Sequence, residues 1–158
     1  MTNQARIILI SDNHGLAKAI TDIRDRYCHG EYLFHCGDSE MPPFMLDGFA
    51  AVQGNNDEYN AYQFRKVLNV AGHRILLVHG HRDMFFGHYD MLAERGKEAG
   101  CDIVMFGHTH IYHDSVIDGI RLLNPGSIWR NRDGSEPSYM IVDINGSEVK
   151  VTRMSYHI

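Results

Sequence analysis

The chain has 158 residues, which is enough for one domain with a hydrophobic core, and we expect a single domain over residues 1–158. Its 44% hydrophobic and 22% charged residues are typical of a globular protein in water. The net charge is −5 and no cluster of Lys and Arg stands out, which argues against binding of extended nucleic acid. No apolar run approaches the roughly 18 residues of a membrane span, and the run at 7–10 is too short for a signal peptide. We therefore expect a cytoplasmic protein without a membrane partner.

The cysteines of the chain indicate no special site, whereas the number and placement of its histidines indicate metal binding. Three cysteines without a C-x-x-C pair predict reduced, buried thiols rather than a disulfide framework. Histidine is unusually frequent, with 11 residues in the chain, and several of these lie beside Gly or Asp. Histidines gathered in loops after strands indicate metal binding.

In chain order, apolar periodicity predicts strands and helices that alternate in the first half of the chain. The expected elements are a strand at 6–11, a helix at 16–27, and strands at 32–36 and 49–53. The second half is expected to contain strands at 64–70, 73–79 and 102–106, a helix at 89–99, and hairpins that turn at 118–119 and 145–146. This order predicts an α/β protein with a mixed sheet, or with two sheets packed between helices.

Five loops carry Asp, Asn or His, and each loop follows an expected strand. Because ligands gather beyond the carboxyl ends of strands in α/β sheets, the five loops converge if their strands run in one direction. The candidate metal ligands in these loops are Asp12, His14, Asp38, Asn55, His79, His108 and His110.

Two carboxylates, one amide and four imidazoles suit a borderline divalent ion such as Mn, Fe, Co, Ni or Zn, and do not suit Ca. Seven ligands are too many for one catalytic ion and fit two, provided that one carboxylate bridges. Asp38 is the natural bridge, since each of its two oxygens can face a metal. Taken singly, Asp12 could instead be a helix N-cap, and the Asn-Asn-Asp run that begins at Asn55 could be a plain turn.

The motifs resemble the calcineurin-like metallophosphoesterase superfamily, and the His-Gly-His and Asn-Pro-Gly-Ser motifs are similar to those of its small prokaryotic phosphodiesterase branch. In chain order they are Ser-Asp-Asn-His-Gly at 11–15, Gly-Asp at 37–38, Gly-Asn-Asn-Asp at 54–57, His-Gly-His at 79–81, Gly-His-Thr-His at 107–110 and Asn-Pro-Gly-Ser at 124–127. The resemblance implies a four-layer α/β/β/α sandwich of two mixed sheets flanked by helices.

The resemblance also implies a ligand set for each of two divalent ions, with Mn as the first expectation and Ni, Fe, Co or Zn as alternatives. One ion would take Asp12, His14, Asp38 and His110. The second ion would take Asp38, Asn55, His79 and His108. The reaction expected of this site is hydrolysis of a small phosphate ester, by in-line attack of a hydroxide that bridges the metals.

One position departs from the pattern. Many members of the superfamily have a His that touches the phosphate where this chain has Asn56. An amide can donate a hydrogen bond but cannot give up a proton, so we expect diesters with stable leaving groups to be the best substrates. His81 or a water molecule is the alternative acid, and His81 could equally face the substrate or be structural.

Three other functions remain open at this point. The same site could hydrolyse phosphomonoesters. A fold of this type could also be a non-catalytic scaffold for protein binding, as in a subunit of the retromer sorting coat, but the metal-site residues of that subunit are altered. A nuclease would need a basic track for the phosphate backbone. A homo-oligomer is compatible with the sequence.

Overall fold

The computed structural model describes residues 3–85 and 88–157. The two α-helices and the six strands with predicted bounds begin and end within two residues of those bounds. In chain order the elements are β1 (Gln4–Ile10), α1 (Ala17–Arg26), β2 (Tyr32–His35), a 3-10 helix (Pro43–Leu46), β3 (Phe49–Ala51), β4 (Arg65–Val70), β5 (His73–Val78), α2 (Asp90–Glu98), β6 (Ile103–Met105), β7 (His113–Ile117), β8 (Ile120–Asn124), β9 (Ser138–Asn145) and β10 (Glu148–Ser155).

The strands form two mixed sheets of five strands each. The first sheet has the order β10-β9-β1-β2-β3, and the second has the order β4-β5-β6-β8-β7. Strands β1, β2 and β3 are parallel to one another, as are β5, β6 and β8. The other pairs of neighbouring strands are antiparallel: β4 with β5, β7 with β8 and β9 with β10 form hairpins, and β9 also pairs with β1. The hairpin between β7 and β8 turns at 118–119 as expected. The hairpin between β9 and β10 turns at 146–147, so that prediction was wrong by one residue, because Asn145 still pairs with Glu148.

Alternation of side chains along each strand creates three apolar interfaces. In β1, Ile7 and Leu9 point into the core between the two sheets, whereas Ile8 and Ile10 point outward against α1. The second sheet packs its outer face against α2 in the same way. Because both faces of the central strands are covered, β1 reads as a continuous apolar run rather than an alternating one. The predicted α/β/β/α sandwich is confirmed.

The parallel strands position the functional loops. The loops after β1, β2 and β3 leave one edge of the first sheet, and the loops after β5 and β6 leave the second sheet at the same end of the sandwich, where backbone bonds join them. Among the described residues, no helix is long and apolar enough to cross a membrane.

Leu9 tests the core between the sheets. Its side chain is fully buried, so Leu9→Ala should lower the free energy of unfolding by about 2–5 kcal/mol through lost transfer energy and a cavity. Urea unfolding of the chelator-treated protein measures this change. Val116→Ala on the exposed edge strand β7 is the matched control, and an equal loss in both variants would contradict the layered core.

Candidate metal centre

The structure brings the seven candidate ligands together at one end of the sandwich. On one side, Nε2 of His14 lies 3.0 Å from Nε2 of His110. On the other side, Oδ1 of Asn55 lies 2.9 Å from Nε2 of His79 and 3.1 Å from Nδ1 of His108. Residues from five loops that span almost a hundred positions of the sequence therefore meet.

Two buried carboxylates lie between these sets of imidazoles. Asp12 groups with His14 and His110, and it also groups with Asp38 and His79; within each group the ligand atoms all lie within 4.8 Å of one another. Oδ2 of Asp38 is 3.4 Å from Nε2 of His79 and 3.9 Å from Nε2 of His14. Both carboxylates therefore lie near His14 on one side and near His79 on the other. That Asp38 bridges two metal ions stays a prediction.

Backbone conformation at the candidate ligands is unusual. Five of the seven candidate ligands have a positive backbone φ, which residues other than Gly rarely adopt. They are Asp12 at 56°, His14 at 44°, Asp38 at 60°, His108 at 71° and His110 at 57°. Such a residue costs about 1–3 kcal/mol and persists where the surrounding structure enforces it, often at a functional site. Sequence reasoning did not identify this strain, since none of these residues is a glycine.

Hydrogen bonds between loops hold the strained residues. The backbone N–H of Asp12 donates to Gly37 O at 3.0 Å, and that of His14 donates to Asp38 O at 3.1 Å. The N–H of His108 donates to Oδ2 of Asp12 at 3.1 Å, which ties the second sheet to the first.

Asp57 supports the candidate site, a role that sequence reasoning missed. Its carboxylate accepts hydrogen bonds from the backbone N–H groups of Asp38 at 3.0 Å, Gly54 at 2.8 Å and Glu40 at 2.8 Å. A Cβ atom on Gly54 would overlap the backbone and side chain of Asp38, so the loop passes too closely for any other residue. The signal was available, because Asp57 ends the Gly-Asn-Asn-Asp motif.

The Asn-Pro-Gly-Ser motif supports the site from outside. Oγ of Ser127 donates to Asp12 O at 2.8 Å, and Oδ1 of Asn131 accepts from the Ser127 N–H at 2.8 Å. The loop also places the ring of Trp129 with its centroid 5.2 Å from that of His14. Trp129 carried no signal in the sequence, because an isolated aromatic residue is more often part of a core.

Backbone carbonyls orient two of the imidazoles. Nδ1 of His79 donates to Cys36 O at 2.7 Å, and Nδ1 of His110 donates to Arg130 O at 2.9 Å. Each bond leaves Nε2 facing the carboxylates. Histidines that bind metals are usually held in this way by a partner on the second ring nitrogen.

Comparison with known proteins agrees with this geometry. The family model for the calcineurin-like phosphoesterase superfamily domain matches residues 5–147. The chain belongs to this superfamily. The probable metallophosphoesterase YsnB of Bacillus subtilis is 32% identical to this calcineurin-like phosphoesterase over 148 residues, which cover 92% of this chain and 88% of the relative.

Solved structures share the fold of this superfamily member. A predicted phosphoesterase from Streptococcus pneumoniae has a TM-score of 0.90 and 33% identity, over 96% of this chain and 90% of its own. A single mutant of Vps29 from Entamoeba histolytica has a TM-score of 0.74 and 25% identity, over 96% and 99% of the two chains. An archaeal phosphodiesterase, at 22% identity and a TM-score of 0.72 over 94% and 99%, shares the fold alone.

The electrostatics of Asp12 fit a cation. Burial by itself would raise the pKa of this carboxyl group, but the imidazoles of His110 and His14 outweigh it and hold the pKa well below its usual range. Asp12 is fully buried, and its Oδ1 has no hydrogen-bond partner among the described residues, since the 3.3 Å contact from His110 lacks hydrogen-bond geometry. A buried anionic oxygen without a donor is costly unless a cation is paired with it.

Protons on the imidazoles partly meet this need. The contact with Asp12, opposed by burial and aided by Glu40, raises the pKa of His14 to about 9. Burial would lower the pKa of His79, but its hydrogen bond with Asp38 and the charge of Asp12 raise it. Divalent cations would replace these protons with a larger charge, and the donor set of carboxylate, amide and imidazole groups fits borderline metals.

Asn56 and His81 lie beside this cluster. The side-chain amide of Asn56 donates to Oδ2 of Asp38 at 3.0 Å. The ring centroid of His81 is 5.3 Å from that of His79 and 6.1 Å from that of His108. Burial, reinforced by the charges of His79 and His108, lowers the pKa of His81 to about 4, so its ring is neutral at pH 7. This argues against His81 as an imidazolium acid and leaves it as a hydrogen-bonding group.

Metal binding should release protons. His14 has a folded-state pKa of about 9, so it holds a proton at pH 7 that an ion must displace. Apparent metal affinity should therefore fall about tenfold for each pH unit and each displaced proton as the pH is lowered from 9.

Calorimetry of metal binding in buffers of different ionisation enthalpy counts the protons. His14→Gln should release fewer protons than the wild type, and the exposed control His29→Gln should release as many. Metal affinity that does not change between pH 6.5 and 9 would refute the ligand role of His14.

Proposed function

We propose that the chain is a single-domain phosphodiesterase that uses two divalent metal ions to hydrolyse a small phosphate ester in the cytoplasm. The observation that carries the proposal is the pair of donor groups that share Asp12, one with His14 and His110 and the other with Asp38 and His79. A pair of ions about 3.5–4 Å apart can bind two oxygens of one phosphate, and two overlapping donor groups suit such a pair.

Each residue has a stated role in this proposal. His14 and His110 hold one ion, and Asn55, His79 and His108 hold the other, while Asp12 and Asp38 lie between them. When bound, the two ions supply positive charge for the phosphate and lower the pKa of water to near neutrality. Mn is the first candidate, and Ni, Fe, Co and Zn suit the same donors.

The residues around the phosphate position favour a diester substrate. Asn56 occupies the place where an acid would protonate a poor leaving group, and its amide has no proton to give at neutral pH. The neutral ring of His81 does not supply an imidazolium instead. A good leaving group, such as an aryl alcohol, needs no such help. The shared fold of an archaeal phosphodiesterase is consistent with this choice.

A change at Asp38 tests the metal-dependent reaction. Asp38→Asn removes a buried negative charge between the two donor groups, so it should lower metal content and reduce hydrolysis of bis(4-nitrophenyl) phosphate more than about a hundredfold. Metal analysis and assays with Mn, Ni, Co and Zn measure both effects. Binding is followed separately by fluorescence of Trp129, the one tryptophan in the chain, because paramagnetic Mn or Co beside His14 should quench it.

The matched control is Asp118→Asn in the exposed turn between β7 and β8, which should leave metal content and rate unchanged. Wild-type protein that binds about two metals per chain yet hydrolyses neither aryl diesters nor aryl monoesters would support a scaffold and overturn the enzymatic proposal. A best rate on monoesters would retain the site and reassign the substrate.

Asn56→His tests the inferred diester preference. An imidazole at this position could protonate the leaving oxygen, so hydrolysis of an alkyl phosphomonoester should rise by about tenfold or more, within the range of general-acid catalysis. Aryl diesters should gain little. Asn56→Ala controls for the lost bond to Asp38. A wild-type enzyme that already prefers alkyl phosphomonoesters would show that the inference from Asn56 is wrong.

A further inference from the structure

A cavity of about 360 Å³ opens beside the metal centre. Its lining includes His79 and His81, together with Phe64, Arg65, Arg82 and Arg95, which are here called the outer part of the cavity. Because His79 also belongs to the metal-binding cluster, a molecule held at the metals can extend directly into this space. The proposed chemistry does not use the outer part of the cavity.

Arg82 is an exposed residue of the cavity lining that stacks on an aromatic ring. Its guanidinium carbon lies 4.2 Å from the centroid of the Phe64 ring, a cation–π contact. The Phe64 ring in turn lies 6.1 Å from the His81 ring, and the His81 ring lies 5.3 Å from that of His79. A line of rings therefore runs from the metal centre to a positioned guanidinium.

The charges of the cavity are unbalanced. Arg95 contacts Asp83 and Glu98, both at 3.3 Å, so its charge is neutralised. Within residues 3–85 and 88–157, neither Arg82 nor Arg65 forms an ion pair, and no side-chain hydrogen bond involves the Arg82 guanidinium. Two cations without a counter-charge in a protein of net charge −5 indicate an anionic ligand. A planar guanidinium binds phosphate or carboxylate through two parallel hydrogen bonds.

The spacing restricts that ligand further. The rings of His81 and Phe64 lie in series between His79 and Arg82, so a ligand that follows them from the metal centre to the guanidinium crosses two aromatic faces. A spacer the size of a sugar or an aryl ring fits between, against the faces of His81 and Phe64. His81 also has a buried Nδ1 atom that lacks a hydrogen-bond partner in the described part of the chain, and a polar spacer could supply one.

We propose that this cavity binds the organic part of the substrate and that Arg82 binds a second phosphate on it, as in a nucleotide with two phosphates on one sugar. This inference rests on the proposed function, because the first phosphate occupies the metal centre. The second phosphate determines substrate choice and takes no part in bond cleavage.

Binding of two phosphomonoester nucleotides, which the proposed diesterase would not hydrolyse, tests the inference apart from turnover. Adenosine 3′,5′-bisphosphate should bind the metal-loaded protein about tenfold or more tightly than adenosine 5′-monophosphate, because it adds a charge-assisted bidentate contact. Calorimetry measures both affinities. In Arg82→Gln the ratio of the two affinities should fall to about twofold or less.

Arg153→Gln is the matched control, since Arg153 also lies over an aromatic ring, 4.5 Å from the centroid of Tyr112, and does not line the cavity. Its affinity ratio should equal that of the wild type. Arg130→Gln tests the other stacked arginine near the site, which lies over Trp129. A ratio near one in the wild type, an unchanged ratio in Arg82→Gln, or a loss only in Arg130→Gln would overturn the inference. Hydrolysis of bis(4-nitrophenyl) phosphate by the wild type tests the proposed function independently of these ratios.

Discussion

Two buried carboxylates, which follow the neighbouring parallel strands β1 and β2 of the first sheet, are the constraint on which the rest of this molecule depends. Asp12 is fully buried and Asp38 nearly so, and their negative charges need compensation that apolar surroundings cannot supply. The imidazoles of His14 and His79, whose pKa values these carboxylates raise, carry part of that compensation as protons. The same imidazoles, with Asn55, present the donor atoms that borderline divalent metals prefer. Charge balance thus links the stability of this end of the sandwich to metal binding.

The sandwich makes this arrangement possible by holding strained loops between rigid layers. Five candidate ligands adopt a positive φ, and the cost is offset by hydrogen bonds that cross from loop to loop and by the carboxylate of Asp57. Both sheets have buried faces on each side, so the strand ends that carry the loops have little freedom to move. A preformed site of this kind loses little entropy when ions bind.

The fold and the types of candidate ligand could be predicted because they depend on local patterns. Short apolar runs located six strands, and turn residues indicated the two hairpins that form the other four. The order of motifs resembled one superfamily, to which the matched family model assigns the chain. The prediction failed where local patterns are ambiguous. The turn after Asn145 shifted by one residue because strand pairing, rather than turn preference, decided the register. Asp57 and Ser127 were missed as supports because their partners lie on other loops.

The sequence by itself determined an α/β architecture and the residues that could hold metals, since these follow from side-chain chemistry and short-range periodicity. The layered sandwich and the missing acid at Asn56 followed from the resemblance of its motifs to one superfamily. Only the tertiary structure decided that Asp12 belongs to both donor groups, and that Arg82 lies over Phe64 without a counter-charge in the described part of the chain. The physical reason is that such contacts join residues distant in the chain. Their distances depend on how two sheets pack, and no local pattern in the sequence encodes that packing.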